Sequence, residues 1–275
     1  MLIDAHQHFW RVGRNGFSWP TPDLVAIHRD FGPSDLSEIG APLGLTGSVL
    51  VQSQPDDRDT DWLLDLAADE PLVLAVVGWA NLRAPDAPAR IAELARRPKL
   101  RGLRPMLQNL ADDAWIASPD LDPALDAMVA HGLSLDALVL TRHLPHLLTL
   151  ARRRPDLNIV IDHGAKPPIA TGAGAEAWAA GIQALAALPQ ILCKLSGLLT
   201  EAAPEQSTDA LAPYVHHLVA AFGPQRLMWG SDWPVLDLAG DYAGWLALAE
   251  TLSGVSAPAD LEALFGGTSR RFYRI

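Results

Sequence analysis

The sequence predicts an α/β protein, a single (β/α)8 (TIM) barrel with an extra C-terminal helix, occupying residues 1–275. Short apolar segments alternate with helical segments along the chain, and eight of them can be counted. Apolar runs of this length are typical of parallel strands that are buried on both faces. Regular alternation over about 250 residues favours a barrel over an open sheet. No glycine-rich phosphate-binding fingerprint follows the first strand, which disfavours a nucleotide-binding sheet.

The predicted elements follow one another without a domain boundary. Strands are expected at residues 2–10, 48–54, 72–82, 100–107, 133–140, 158–164, 191–198 and 226–232. Helices are expected at 60–68, 87–97, 122–131, 143–154, 175–188, 210–222, 242–252 and 259–271, and a short one after Ser34. Ser34 is the expected cap of that short helix. Asp122 is the expected cap of the helix at 122–131, with Pro123 as its first residue. The irregular segment 11–33 is rich in aromatic residues, so we expect it to cover a functional site.

Composition excludes several classes of function. A net charge of −11 argues against nucleic acid and anionic membranes as partners. With 49% hydrophobic residues the chain can bury a full core. Cys193 is the only cysteine, so we expect no disulfide and a reducing compartment. The first strand directly follows Met1, so we expect no signal peptide and a cytoplasmic location.

The first strand carries the strongest functional signal. Side chains alternate along a strand, so Asp4, His6 and His8 are expected on one face. Buried imidazoles each bring a donor and an acceptor that need partners, which makes them costly as packing residues. The pair therefore indicates a functional site.

In a (β/α)8 barrel the active site lies at the carboxyl ends of the strands. The residues expected at these ends are His6, His8, Gln52, Gln54, Trp79, Asn81, Arg104, His163, Lys166, Lys194, Ser196 and Asp232. If Asp232 is buried it needs a partner, and the imidazoles of the first strand would supply it. Ser196 has no histidine beside it in sequence, which disfavours a nucleophilic role. The histidines outside the strand ends, including His143, are expected at the surface.

The motifs at these strand ends resemble the amidohydrolase superfamily. The segments LIDAHQHFW, GLRPM, VIDHGAKP and LMWGSDWP are similar to the branch of sugar lactonases, such as L-fuconolactonase and L-rhamnonolactonase. The 2-pyrone-4,6-dicarboxylate lactonase is a further relative of that branch. The resemblance extends over essentially the whole chain.

The resemblance implies a role for each matching residue. Asp232 would activate the hydrolytic water. His6, His8 and His163 match histidines that bind metal in some members and polarise the substrate carbonyl in others. Arg104 and Lys166 match positions of cationic contacts to substrate.

The residues agree with hydrolysis of a sugar-acid lactone, L-fucono- or a related aldonolactone. Attack of water on an ester needs a base, groups that stabilise an oxyanion, and a proton for the leaving alkoxide. Asp232 can supply and return the proton. Tryptophans at strand ends suit a sugar ring. The expected substrate contacts are Arg104, Lys166, Lys194, Gln54, Trp10, Trp79 and Trp233.

The sequence does not decide whether a metal binds in the site. His6, His8 and Asp232 would provide three ligands, enough for an open zinc site. The ligating residues that many relatives place after strands four and five are missing here, and Arg104 stands after strand four. We therefore expect no required cofactor, while one divalent metal such as zinc can occupy the site.

Two other functions remain open alternatives. One is a metal-dependent decarboxylase of the same superfamily, and the other is a non-catalytic barrel that binds a sugar acid. A general base at Asp232 has no use in a binding protein, which disfavours the second. The identity of the lactone and the oligomeric state are left open.

Overall fold

Eight parallel strands follow one another around a barrel in the computed structural model, which describes residues 1–275. The strands are β1 (Leu2–Gln7), β2 (Leu45–Val51), β3 (Val73–Gly78), β4 (Leu100–Leu103), β5 (Ser134–Ala137), β6 (Ile159–Ile161), β7 (Ile191–Leu195) and β8 (Leu227–Trp229). Each pairs with the next in chain order. The circle closes where the amide of His8 donates to the carbonyl of Trp233 at 2.8 Å and the amide of Asp232 donates to the carbonyl of His6 at 2.8 Å. The predicted (β/α)8 barrel is confirmed.

Helices lie between the strands and after the last one. They are α1 (Pro33–Gly40), α2 (Asp57–Ala68), α3 (Ala87–Leu94), α4 (Asp122–Ala130), α5 (Leu144–Arg153), α6 (Ala175–Ala186), α7 (Ala212–Phe222), α8 (Tyr242–Ser253), α9 (Pro258–Glu262) and α10 (Thr268–Tyr273). No helix combines the length and the apolar character that crossing a bilayer requires. The predicted strands were too long at their carboxyl ends, because pairing stops while the chain continues into the loops that carry the site.

Three details of the predicted helices were wrong. The cap of α1 is Gly32, whose amide donates to Asp35 at 3.0 Å, and Ser34 lies inside the helix. Asp122 is the first residue of α4 and not its cap. The predicted helix 259–271 is broken at Gly266, which leaves helical geometry at φ 178° and ψ −48°. A Cβ at Gly266 would lie 2.8 Å from the carbonyl oxygen of Met1, so glycine allows this turn to pack against the start of β1.

The apolar core has two parts. The larger part fills the space between the barrel and the helices. The smaller part lies inside the barrel and consists of Ala5, Val49, Val51, Ala75, Val77, Val160, Met228 and Tyr273. Tyr273 comes from α10, so the last helix contributes a side chain to the barrel interior. Small and β-branched residues dominate this interior because eight strands leave room for little more.

The predicted alternation along β1 was wrong at one position. The side chain of Asp4 accepts hydrogen bonds from the hydroxyls of Ser231, at 2.6 Å, and Tyr242 of α8, at 3.0 Å. His6 and His8 instead turn towards the barrel axis. The pairing of β1 with β2 is irregular between Asp4 and Gln7, which places Asp4 and His6 in different environments.

Candidate active site

A cavity of about 660 Å³ opens at the carboxyl ends of the strands. Seven of the eight strands contribute a residue that follows the last residue of the strand. These residues are His8, Ser53, Trp79, Arg104, Leu138, His163 and Asp232. The segment 11–33 reaches the cavity through Ser18 and Trp19, and Trp115 follows β4 in the chain. The expected cover over the barrel mouth is therefore present.

Asp232 lies at the floor of the cavity among three imidazoles. Its Oδ1 is 3.2 Å from Nε2 of His8, 3.7 Å from Nε2 of His6 and 3.8 Å from Nε2 of His163. The side chain of Asp232 is 5% exposed, so the carboxylate interacts with these rings in a largely desolvated setting. The site thus brings together the four residues predicted from the strand ends.

The backbone adopts uncommon conformations at two of these residues. His163 has φ 53° and Asp232 has φ 60°, values that side-chain-bearing residues rarely adopt. Gly197, with φ 62°, lies against both side chains, and a Cβ there would come 3.1 Å from Oδ2 of Asp232. Such conformations are concentrated at functional sites, where they aim side chains that a regular strand would direct elsewhere.

Burial and charge set the protonation states of the floor. Burial raises the pKa of Asp232, but the imidazoles of His163, His8 and His6 outweigh it and lower this pKa well below its usual value. Burial lowers the pKa of His163 to about 4. Burial and the nearby Lys194 lower the pKa of His6 well below its usual value. At neutral pH, Asp232 is therefore ionised while His6 and His163 are neutral.

A layer of buried charged and hydrogen-bonding groups lies beneath the floor. We call Asp136, Asp162, Lys194 and Tyr273 the interior layer. Nζ of Lys194 lies 2.7 Å from Oδ2 of Asp136 and 3.1 Å from Oδ1 of Asp162. The hydroxyl of Tyr273 donates to Oδ2 of Asp136 at 2.6 Å. Burial opposes ionisation of Asp162, but Lys194, His6 and Arg104 outweigh it and lower its pKa well below the usual value.

His6 and Arg104 connect the interior layer to the floor. Nδ1 of His6 lies 3.2 Å from Nζ of Lys194 and 3.4 Å from Oδ1 of Asp162. Nη1 of Arg104 lies 3.4 Å from Nε2 of His6 and 3.6 Å from Oδ2 of Asp162. A second guanidinium nitrogen donates to the carbonyl of Gln52. Both side chains are held on several sides, which fixes their orientation at the floor.

The geometry of the floor fits a divalent metal such as zinc. Nδ1 of His8 lies 2.8 Å from the carbonyl of Val51, so it donates there and leaves Nε2 with a free lone pair. Nε2 of His8 is 3.2 Å from both Nε2 of His6 and Oδ1 of Asp232. Ligand atoms around a tetrahedral zinc ion are about 3.3 Å apart. His6, His8 and Asp232 could therefore hold one ion, as could the neighbouring group His6, Asp162 and His163.

The other predicted substrate contacts divide into two groups. Trp79, Arg104 and Lys166 line the cavity. Lys194 does not, because its side chain points into the barrel interior one residue before β7 ends. His6 likewise lies below the lining surface.

Gln54, Trp10 and Trp233 do not line the cavity either, since they hold the covering segment. Gln54 accepts from the amide of Ser18 at 2.9 Å and donates to the carbonyl of Trp19 at 2.7 Å. The rings of Trp10 and Trp233 both pack on Phe31. Trp10 and Trp233 therefore pack against Phe31 of segment 11–33 and do not face the cavity, although both were expected to contact substrate.

Sequence reasoning missed two residues that line the cavity and misjudged the surroundings of Ser196 and His143. Oγ of Ser196 lies 2.9 Å from Nδ1 of His163, so a serine–histidine pair exists that the chain order hides. His143 is buried and accepts from the amide of Leu140, whereas it was expected at the surface. Trp19 and Trp115 line the cavity from segments outside the strand ends, so only proximity in space could reveal them.

Comparisons with known proteins agree with this architecture. The sequence model of the family described as "Amidohydrolase" matches residues 3–275. L-fucono-1,5-lactonase of Burkholderia ambifaria is 54% identical over 277 residues, with 99% of this chain and 95% of the relative covered. L-fucono-1,5-lactonase of Burkholderia multivorans is 38% identical, with 100% and 96% covered. A crystal structure of an amidohydrolase from B. multivorans with bound Zn has a TM-score of 0.94 at 38% identity and covers 100% of this chain and 99% of its own. This chain belongs to the amidohydrolase family.

Proposed function

We propose that the protein is a lactonase that hydrolyses the ester ring of a sugar-acid lactone, L-fucono-1,5-lactone or a related aldonolactone. The observation that carries this proposal is the buried carboxylate of Asp232 at the floor of an open cavity, within 4 Å of three imidazoles. Two curated relatives with nearly complete coverage are L-fucono-1,5-lactonases, which supports lactone hydrolysis by this chain. Three indoles in the cavity wall, those of Trp19, Trp79 and Trp115, suit the apolar face of a sugar ring.

In the proposed mechanism, Asp232 accepts a proton from the attacking water. The oxyanion that forms on the lactone carbonyl is stabilised by the guanidinium of Arg104. Asp232 then returns its proton to the ring oxygen as the ester bond breaks. Because its pKa is low, Asp232 is ready as a base throughout the neutral range and gives the proton back easily.

We propose that His6, His8 and Asp232 hold a divalent metal when one is present, and that it is not required. Such an ion would supply Lewis-acid polarisation of the carbonyl. A lactone is an activated ester, and Arg104 offers positive charge at the same floor. At least a third of the activity should remain after exhaustive chelation with metal content checked by elemental analysis. Complete loss, restored by zinc or manganese, would make the metal essential.

The function is tested by a pH-indicator screen over stereochemically diverse aldonolactones, since ring opening releases a proton. We expect turnover of L-fucono-1,5-lactone or a close stereoisomer, and a loss of about 10³-fold or more in kcat for Asp232→Asn. Absence of hydrolysis across the panel would overturn the proposal. Release of carbon dioxide from an aromatic acid would favour the decarboxylase, and binding of sugar acids without turnover of any lactone would favour a binding protein.

A further inference from the structure

The cations of the cavity wall are few and each faces a carboxylate. Arg104 and Lys166 are the only lysine or arginine residues in the lining. Arg104 has Asp162 beneath it at 3.6 Å. Nζ of Lys166 lies 2.6 Å from Oε1 of Glu201, the shorter of the two contacts. Lys166 therefore presents no uncompensated positive charge to the cavity, while Asp232 adds a negative charge.

The pair of Lys166 and Glu201 is held in place by the backbone. Lys166 follows β6 in a left-handed conformation with φ 49°, and Glu201 ends a short helical turn after β7. The carbonyl of Glu201 accepts from the amide of Ala170 at 2.9 Å, which ties the two loops together. The Lys166 side chain is 18% exposed and that of Glu201 is 24% exposed, so the pair is partly shielded from water. Lys166 is thus fixed with its charge already compensated.

We propose that Glu201 determines the charge specificity of the site: by pairing with Lys166 it selects uncharged lactones and disfavours lactones that carry a carboxylate. This inference rests on the proposed lactone hydrolysis and names its substrate class. Hydrolysis converts a neutral ester into a carboxylate and releases one proton. A free lysine in the wall would bind that carboxylate through a charge-assisted hydrogen bond. With Glu201 in place, the anionic product meets no free lysine in the wall and leaves.

The test compares two lactones that differ in one group. One is a neutral aldono-1,4-lactone that the enzyme turns over, and the other is the aldaro-1,4-lactone in which a carboxylate replaces the terminal hydroxymethyl group. We expect Glu201→Gln to raise the ratio of kcat/KM for the charged lactone over that for the neutral one by about 10-fold, as one charged hydrogen bond would. The inhibition constant of the aldonate product should fall by a similar factor.

Two further variants separate this effect from other causes. Glu205→Gln makes the same change of charge in the same loop, at an exposed residue without an ion pair, and should leave the ratio unchanged. The double variant K166M/E201Q should lose the gain, since the gain depends on the freed lysine. An unchanged ratio in Glu201→Gln, or an equal rise in Glu205→Gln, would overturn the proposal.

Measuring the binding of an aldonate distinguishes failure of the charge-selection proposal from failure of the lactonase proposal. If the wild-type protein hydrolysed no lactone, lactone hydrolysis would be refuted, while charge selection could still be measured with an aldonate as probe. Quenching of the protein's tryptophan fluorescence, to which Trp19, Trp79 and Trp115 in the cavity wall contribute, reports its binding. Glu201→Gln should then bind the aldonate about 10-fold more tightly than wild type. Equal affinity would refute the role of Glu201 independently of turnover.

Discussion

The cavity floor and the interior layer are two neighbouring sets of buried charged groups with opposite arrangements. In the interior layer every charge faces an opposite charge, since Lys194 contacts Asp136 and Asp162. At the floor, Asp232 faces only imidazoles, and two of these are held neutral by burial. The charges of the interior layer are paired with each other and do not face a ligand. At the floor, the carboxylate of Asp232 faces the cavity and can accept a proton from a bound water. Burial alone therefore does not identify the reactive groups of this site.

The largest effect should follow substitution at the floor. We expect Asp232→Asn to fold normally and to lose about 10³-fold or more in kcat, because an amide cannot accept the proton of water. The measurements are kcat for a neutral lactone and the free energy of unfolding in denaturant. If the variant kept more than a tenth of the native kcat, the floor would not be the reactive region.

The second prediction concerns the interior layer. Lys194→Met should lower the free energy of unfolding by about 3–4 kcal/mol, because Asp136 and Asp162 would remain buried without their cation. Chemical denaturation checks this, with Lys99→Met as a control, since Lys99 is partly exposed and bonds only to carbonyl groups. A stable Lys194→Met protein would show that the interior layer is not held together by charge compensation.

The third prediction concerns Arg104, which contacts both regions. Arg104→Met should cost about 2–3 kcal/mol in kcat/KM, since a hydrogen bond to developing charge is lost. Asp162 retains Lys194 as a partner, so the loss of stability should be smaller than the loss of activity. Arg104→Lys keeps the charge and is the matched control. A variant that is destabilised, with a fully active folded fraction, would assign Arg104 to the interior layer.

The smallest effect is expected for Tyr273→Phe. The variant keeps the ring in the barrel interior and removes the hydrogen bond to Asp136, so unfolding should become easier by about 1.5 kcal/mol. Its kcat should stay within about twofold of wild type, because Lys194 still holds Asp136. Thermal or chemical denaturation together with kcat checks both parts. A much larger loss of kcat would mean that the interior layer controls the floor.

The floor could be predicted from the sequence and the interior layer could not. His6 lies near the end of an apolar strand, and His8, His163 and Asp232 follow apolar strands. The carboxyl ends of parallel strands meet at one end of a barrel. The same reasoning placed Lys194 at the cavity, because a sequence does not show at which residue a strand stops pairing.

Other elements depend on contacts that no local pattern encodes. Tyr273 reaches Asp136 from a helix 137 positions further along the chain. The irregular pairing of β1 with β2 moved Asp4 away from His6, and strict alternation cannot anticipate such a shift.

The closure of the barrel between β1 and β8 has a consequence for folding. His8 and Asp232 are 224 positions apart, and they meet only when the first and last strands have joined. Contacts of such long sequence separation form late and slowly. A folding intermediate that lacks either strand would have no assembled base, however much of the sheet it contained. The rate at which turnover recovers during refolding would therefore report when β1 pairs with β8. Circular dichroism would report the earlier formation of helices.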